Sequence, residues 1–139
     1  MGRIRKGKPA PDAGAIRKRE ATVRQIKFSF ALFSGDDEVV CPRSFQDGYV
    51  RTLMERLRDL SSWDVVRFTN QYDKAVRNHV IDWARTARPE GFDHLNEQYR
   101  AYPAWQFSLT SNEHGRVHGI IIDDTFFVIW LDANHALYP

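Results

Sequence analysis

The stretch RVHGIIIDDTFFVIWLD, residues 116–132, decides the fold. Both halves are rich in β-branched and aromatic residues, and Asp123-Asp124 is a tight two-residue link between them. That pattern predicts a hairpin of two strands, Arg116–Ile122 and Thr125–Leu131. A two-residue loop in simple register pairs Ile122 with Thr125, His118 with Ile129 and Arg116 with Leu131. The run Phe126 to Leu131 has no polar position, which marks a central strand covered on both faces. One step upstream, Trp105, Phe107 and Leu109 alternate with Gln106, Ser108 and Thr110, the period of a half-buried strand. Residues 111–115 form a turn, so the C-terminal end reads as a three-strand antiparallel meander.

Working outward, Ile26 to Phe33 is dense in aromatics and ends at Ser34-Gly35-Asp36-Asp37, a strand followed by a turn. Ser44 then starts a helix, with Ser44 and Asp47 at capping-box spacing. Phe45, Tyr49, Val50, Leu53, Met54, Leu57 and Leu60 make its apolar face. A shorter helix runs from Ser62 to Asn70 with a Ser-x-x-Asp cap, and Lys74 to Trp83 fits either a helix or a short strand near His79–Trp83. Residues 84–92 hold Pro89 and Gly91 and read as loop, Asp93 caps a short helix through Tyr99, and Pro103 closes it. The order predicts an α+β fold: a curled, mostly antiparallel sheet, made of the N-terminal strand plus the three-strand meander, packed against two or three helices.

The chain has 139 residues, 42% hydrophobic and 13% aromatic, the material of one core. The expected division is a flexible basic tail at residues 1–24 and a single α+β domain at 25–139. Cys41, the only cysteine, rules out an internal disulfide and a multi-cysteine zinc site. No apolar stretch approaches the roughly 20 residues that span a bilayer, and no apolar signal core follows the basic start, so a cytoplasmic protein with no membrane partner is the expectation. Net charge is +2, unevenly placed. Residues 1–27 carry nine Lys/Arg against two acids, hence +7; the other 112 hold eleven against sixteen, hence −5. The basic tail, with Arg17, Lys18, Arg19 and Arg24, is the candidate nucleic-acid contact.

Candidate chemistry gathers at the meander. Arg116 and His118 are two apart on one strand and share a face. The expected register brings that end of the hairpin to Leu131 and Asp132, from which the chain continues to His135 and Tyr138, with Glu113 and His114 at the same edge. Such a set suits phosphodiester cleavage without a metal: a base for the 2′-hydroxyl, an acid for the leaving oxygen, a cation for the charged transition state. The same residue types also serve a bland structural role, with His118 a core histidine and Tyr138 a fastener of the C-terminus. The His114/His118 spacing suits a metal only on a helix, so neither a metal nor a cofactor is expected. Arg88 and His94 have the spacing of an Arg-x5-His motif, but Pro89 and Gly91 break the helix that it needs.

The element order and the ending Arg116-Val117-His118-Gly119, Phe127 to Asp132, His135 and Tyr138 resemble the small RelE/ParE-like bacterial toxins, the YoeB-type RNases above all. The resemblance implies a toxin that cleaves mRNA on the ribosome as an endoribonuclease without metal and is neutralised by an antitoxin. It matches Arg116 to the family's catalytic arginine, and His135 and Tyr138 to its C-terminal His and Tyr. The acidic body favours a different class, a non-enzymatic protein-binding module such as an immunity, antitoxin-like or phage-related inhibitor. Whether Arg116, His118, His135 and Tyr138 converge in space separates the two.

Overall fold

The computed structural model describes residues 24–111 and 113–138. The basic tail expected at residues 1–23, including Arg17, Lys18 and Arg19, lies outside them; Arg24 is exposed at their start. Five strands form one open mixed sheet in the order β1-β5-β4-β3-β2. They are β1 (Lys27–Ser29), β2 (His79–Val80), β3 (Ala104–Ser108), β4 (Arg116–Ile122) and β5 (Thr125–Asp132). Helices α1 (Tyr49–Leu60), α2 (Val65–Asn70) and α3 (Glu97–Arg100), with a 3-10 turn at Trp83–Arg85, complete an α+β fold.

The β4–β5 hairpin turns at Asp123-Asp124 with Ile122 opposite Thr125, as its sequence predicts, and Asp123 takes a φ of 57° at the turn. Further along, the register departs from expectation. Gly119 faces Val128, but His118 faces Trp130 and Arg116 faces Asp132, so Ile129 is an extra residue on β5. This bulge has a local cause in the crowded approach of the two strands. A Cβ on residue 119 would overlap the Phe127 carbonyl, so glycine alone fits there. Because side chains alternate along a strand, one extra residue moves everything beyond it to the other face. Asp132 thereby joins the face that carries Arg116 and His118.

The predicted first strand is shorter than expected. Only Lys27–Ser29 pairs with β5, in parallel, and Phe30–Phe33 is looped out before the Ser34 N–H rejoins the Ile129 carbonyl at the bulge. Helix α1 starts at Tyr49, not Ser44; Gly48, at φ 83°, is its N-cap, and no side chain caps it. The expected capping box does not form. Phe45 instead stacks on Tyr49 with ring centroids 4.4 Å apart. The apolar face is also narrower than the sequence suggests: Tyr49, Leu53, Leu57 and Leu60 are buried, while Val50 and Met54 are exposed. For α2, Asp64 is itself the cap, its carboxylate accepting from the Arg67 N–H at 2.7 Å. The ambiguous segment resolves into β2 at His79–Val80, and the short helix before Pro103 starts after Asn96 rather than Asp93, with no side chain capping it.

One face of β3–β5 carries Trp105, Phe107, Val117, Phe126 and Val128, by alternation along the paired registers. Phe68 of α2 packs on it, 5.9 and 6.0 Å from the Phe126 and Phe107 rings. Burial of each such ring contributes roughly 1.5–3 kcal/mol. The opposite face carries Gln106, Ser108, Arg116, His118, Trp130 and Asp132. It is covered by Trp83 and Phe92, which pack on Trp130, and by the C-terminal turn, where the Leu137 carbonyl accepts from the Ala87 N–H.

Candidate active site

Asp132 organises the second face. Its side chain is fully buried, and its carboxylate accepts from His118 Nε2 at 3.1 Å, from the Ala136 N–H at 2.7 Å and from the Leu137 N–H at 2.9 Å. Its carbonyl accepts from the His135 N–H at 3.1 Å. One residue thus fixes the turn that bears His135 and Tyr138. Burial pushes the Asp132 pKa up, but the His118 hydrogen bond and the two backbone donors outweigh it and hold the carboxyl below the ordinary carboxylate range. A carboxylate only accepts, so His118 Nε2 carries the proton and Nδ1 is a lone pair, buried without a partner. Burial lowers the His118 pKa against the pull of Asp132, so the ring is neutral at neutral pH.

Arg116 is the other unusual group. It is 7% exposed and donates to the carbonyl of its neighbour Gly115 at 3.1 Å. Among the described residues it forms no ion pair. Desolvation and the nearby Arg77 guanidinium lower its pKa, against the pull of Asp132, yet a guanidinium remains charged. Arg77, half-buried at φ 54°, donates to the Ser111 carbonyl. His135 is exposed, also at φ 54°, and burial of its ring and the Arg116 charge lower its pKa. Two guanidiniums and two imidazoles therefore occupy one end of the sheet.

His79 and Tyr138 stand beside them. His79 Nδ1 donates to the Val80 carbonyl at 2.8 Å, which leaves Nε2 to accept from Gln106 Nε2 at 3.0 Å. The Tyr138 ring meets His79 edge-on at 6.1 Å. Its hydroxyl accepts from the Asp82 N–H at 2.8 Å and keeps its own proton to donate. Gln106 Oε1 and Ser108 Oγ are buried on the same face without partners.

Of the residues singled out from the sequence, Arg116, His118 and His135 gather around Asp132, and Tyr138 joins them through His79. His118 and Arg116 lie beneath the surface; His135 and Tyr138 reach it. Glu113 and His114 turn away. His114 bonds Thr110 and faces Tyr49, and the Glu113 carbonyl accepts from Gln46. Sequence reasoning passed over Arg77, His79, Gln106 and Ser108. The polar residues of β3 looked like a solvent face, and the segment holding Arg77 and His79 had no clear period. Cys41 is buried, its sulfur accepting from the Leu131 N–H, and burial raises its pKa, so it is no nucleophile.

A cleft of about 540 Å³ lies on the far side of Trp130, lined by Asp36, Asp37, Glu38, Glu90, Asp93 and Arg88 among others. Arg88 is spent on Asp37, at 2.6 and 3.0 Å, so the surplus charge is negative and repels phosphate. The Arg88/His94 pair belongs to this cleft, apart from Arg116. Among the described residues no His/Cys/Asp/Glu group is placed to hold a metal ion, and no helix is long and apolar enough to cross a membrane. Comparison with protein-family models, with curated proteins and with solved structures finds no match.

Proposed function

We propose that this face of the sheet cleaves RNA without a metal, as a RelE-like toxin does. The observation that carries the reading is Arg116. A nearly buried guanidinium that has one carbonyl partner and no ion pair among the described residues, set beside a second guanidinium, suits an external anion. A phosphodiester is such an anion, and the imidazoles around it supply the proton chemistry.

In this reading His135, exposed and held toward its neutral form, takes the proton of the 2′-hydroxyl. The 2′-oxygen attacks phosphorus and the bond to the 5′-oxygen breaks, leaving a 2′,3′-cyclic phosphate. The Tyr138 hydroxyl gives its proton to that leaving oxygen. Arg116 and Arg77 hold the non-bridging oxygens as charge develops on them. His118 is a positioning residue: it holds Asp132, and Asp132 holds the turn that carries His135 and Tyr138.

The purified full chain is expected to cut a labelled single-stranded RNA in the presence of EDTA and to leave 2′,3′-cyclic phosphate ends. Arg116→Ala is expected to slow this at least about 100-fold, the range for losing one preorganised charge-stabilising donor. No cutting by folded wild type, or undiminished cutting by Arg116→Ala, overturns the reading. The protein-binding alternative has its own support, in Val50 and Met54, one helical turn apart on α1 and both more than half exposed. Such a stripe is also where an antitoxin would dock, and failure of the cleavage assay would leave it as the leading surface.

A further inference from the structure

We propose that Tyr72 is a stacking platform for an unpaired base, so that the site takes single-stranded and not duplex RNA. This rests on the RNA-cleaving reading above and adds the form of the substrate.

The loop between α2 and β2 is rigidly built. Asn78 is 3% exposed and donates through Nδ2 to the carbonyls of Phe68 at 2.7 Å and Gln71 at 2.9 Å. Its Oδ1 accepts from the Asp73 N–H at 2.9 Å. Asp73 in turn accepts from the N–H groups of Ala75 and Val76. The Val76 carbonyl accepts from the Ser108 N–H at 2.6 Å, and Ser108 is the register partner of Arg116. A buried amide side chain therefore pins this loop against the strand position occupied by Arg116.

Tyr72 is held between those anchors yet is 62% exposed. Lys74, exposed, and Arg77, half-buried, flank it on the same loop. The Ser108–Val76 bond sets this loop beside the strand position of Arg116, and the Arg77 guanidinium reaches back from it to the Ser111 carbonyl. An exposed ring on a fixed loop, bordered by cations and anchored beside the strand that carries Arg116, has the composition of a single-strand binding surface. A base in a duplex keeps its faces inside the stack, whereas an unpaired base has a face to offer. Stacking tolerates any base, so the platform selects strand state rather than sequence.

The test uses the full chain and a fluorescein-labelled 2′-O-methyl oligonucleotide, single-stranded or annealed to its complement. The methyl group removes the nucleophile, so anisotropy reads affinity without cleavage. Wild type is expected to bind the single strand more tightly than the duplex. Tyr72→Ala is expected to weaken single-strand binding about 5- to 150-fold, the range for losing one stacked base, and to leave duplex binding unchanged. Tyr72→Trp is expected to restore the single-strand affinity, which a loss of fold would not allow. Equal single-strand affinity for wild type and Tyr72→Ala, or a wild-type preference for duplex, overturns the platform; cutting of RNA in EDTA would then still support the underlying reading. A wild type that neither binds nor cuts overturns both.

Discussion

The two faces of strands β3–β5 are both largely buried, yet one is aromatic and the other carries a cluster of polar groups. On one, Phe28, Phe68, Phe107 and Phe126 meet at centroid distances of 5.2 to 6.2 Å, mostly edge to face. On the other, Gln106, Ser108, Arg116, His118 and Asp132 are as deeply enclosed, and three of them end in buried atoms that bond nothing. Each such atom costs about 1–3 kcal/mol relative to a satisfied one, so hydrocarbon would make a more stable second face. The first face holds the fold together. The second keeps groups that stability does not need, and such exceptions concentrate where a protein meets its ligand.

The contrast can be broken most sharply on the aromatic face. Phe107→Ala removes a fully buried ring at the centre of the cluster and is expected to lower unfolding free energy by about 3–5 kcal/mol in urea titrations. RNA cutting per folded molecule at low temperature is expected to survive. On the polar face, Asp132→Ala strips the acceptor from His118 Nε2 and from two backbone N–H groups. A loss of about 3 kcal/mol follows from leaving those donors buried and unmet. Amide exchange at Ala136 and Leu137 is expected to accelerate beyond that of the β4–β5 ladder.

Acid sharpens the comparison further. Above pH 6.5 His118 is neutral folded and unfolded. Below it the unfolded ring takes a proton that the buried ring refuses, so the unfolded state binds more protons and stability falls as pH drops toward the lowered folded value. Asp132 acts in the same direction at lower pH. Its stability contribution is present above the unfolded carboxylate value of 3.8 and is lost as pH falls through its depressed folded value. His118→Phe is expected to flatten the urea midpoint between pH 7 and pH 5, and a slope equal to that of wild type would show that His118 is not buried neutral. The smallest change in stability is expected for Arg116→Met, within about 1 kcal/mol of wild type, because among the described residues that guanidinium forms no ion pair to break.

Much of the fold was legible in the sequence because hydrophobic period reports burial within a strand or helix. The β4–β5 hairpin, β3 and the body of α1 follow from it. What it missed depends on contacts between distant elements. The bulge at Ile129 arises from the close approach of Gly119 to β5, and it decides that Asp132 rather than Leu131 faces Arg116. The alternation of Trp105 and Phe107 with Gln106 and Ser108 reads as one wet face, and only the cover of Trp83, Phe92 and the C-terminal turn makes it dry. Arg116, His118, His135 and Tyr138 stood out by residue type, whereas Arg77 and Tyr72 sit on a loop whose shape is set by the buried Asn78.

The most direct measurement pairs RNA cutting in EDTA with unfolding free energy for Arg116→Met and Phe107→Ala in the same preparations. A crossed result is expected: Arg116→Met stable and inactive, Phe107→Ala destabilised and active per folded molecule. Arg116→Met cutting as fast as wild type, or a folded wild type that leaves the RNA intact, would contradict it.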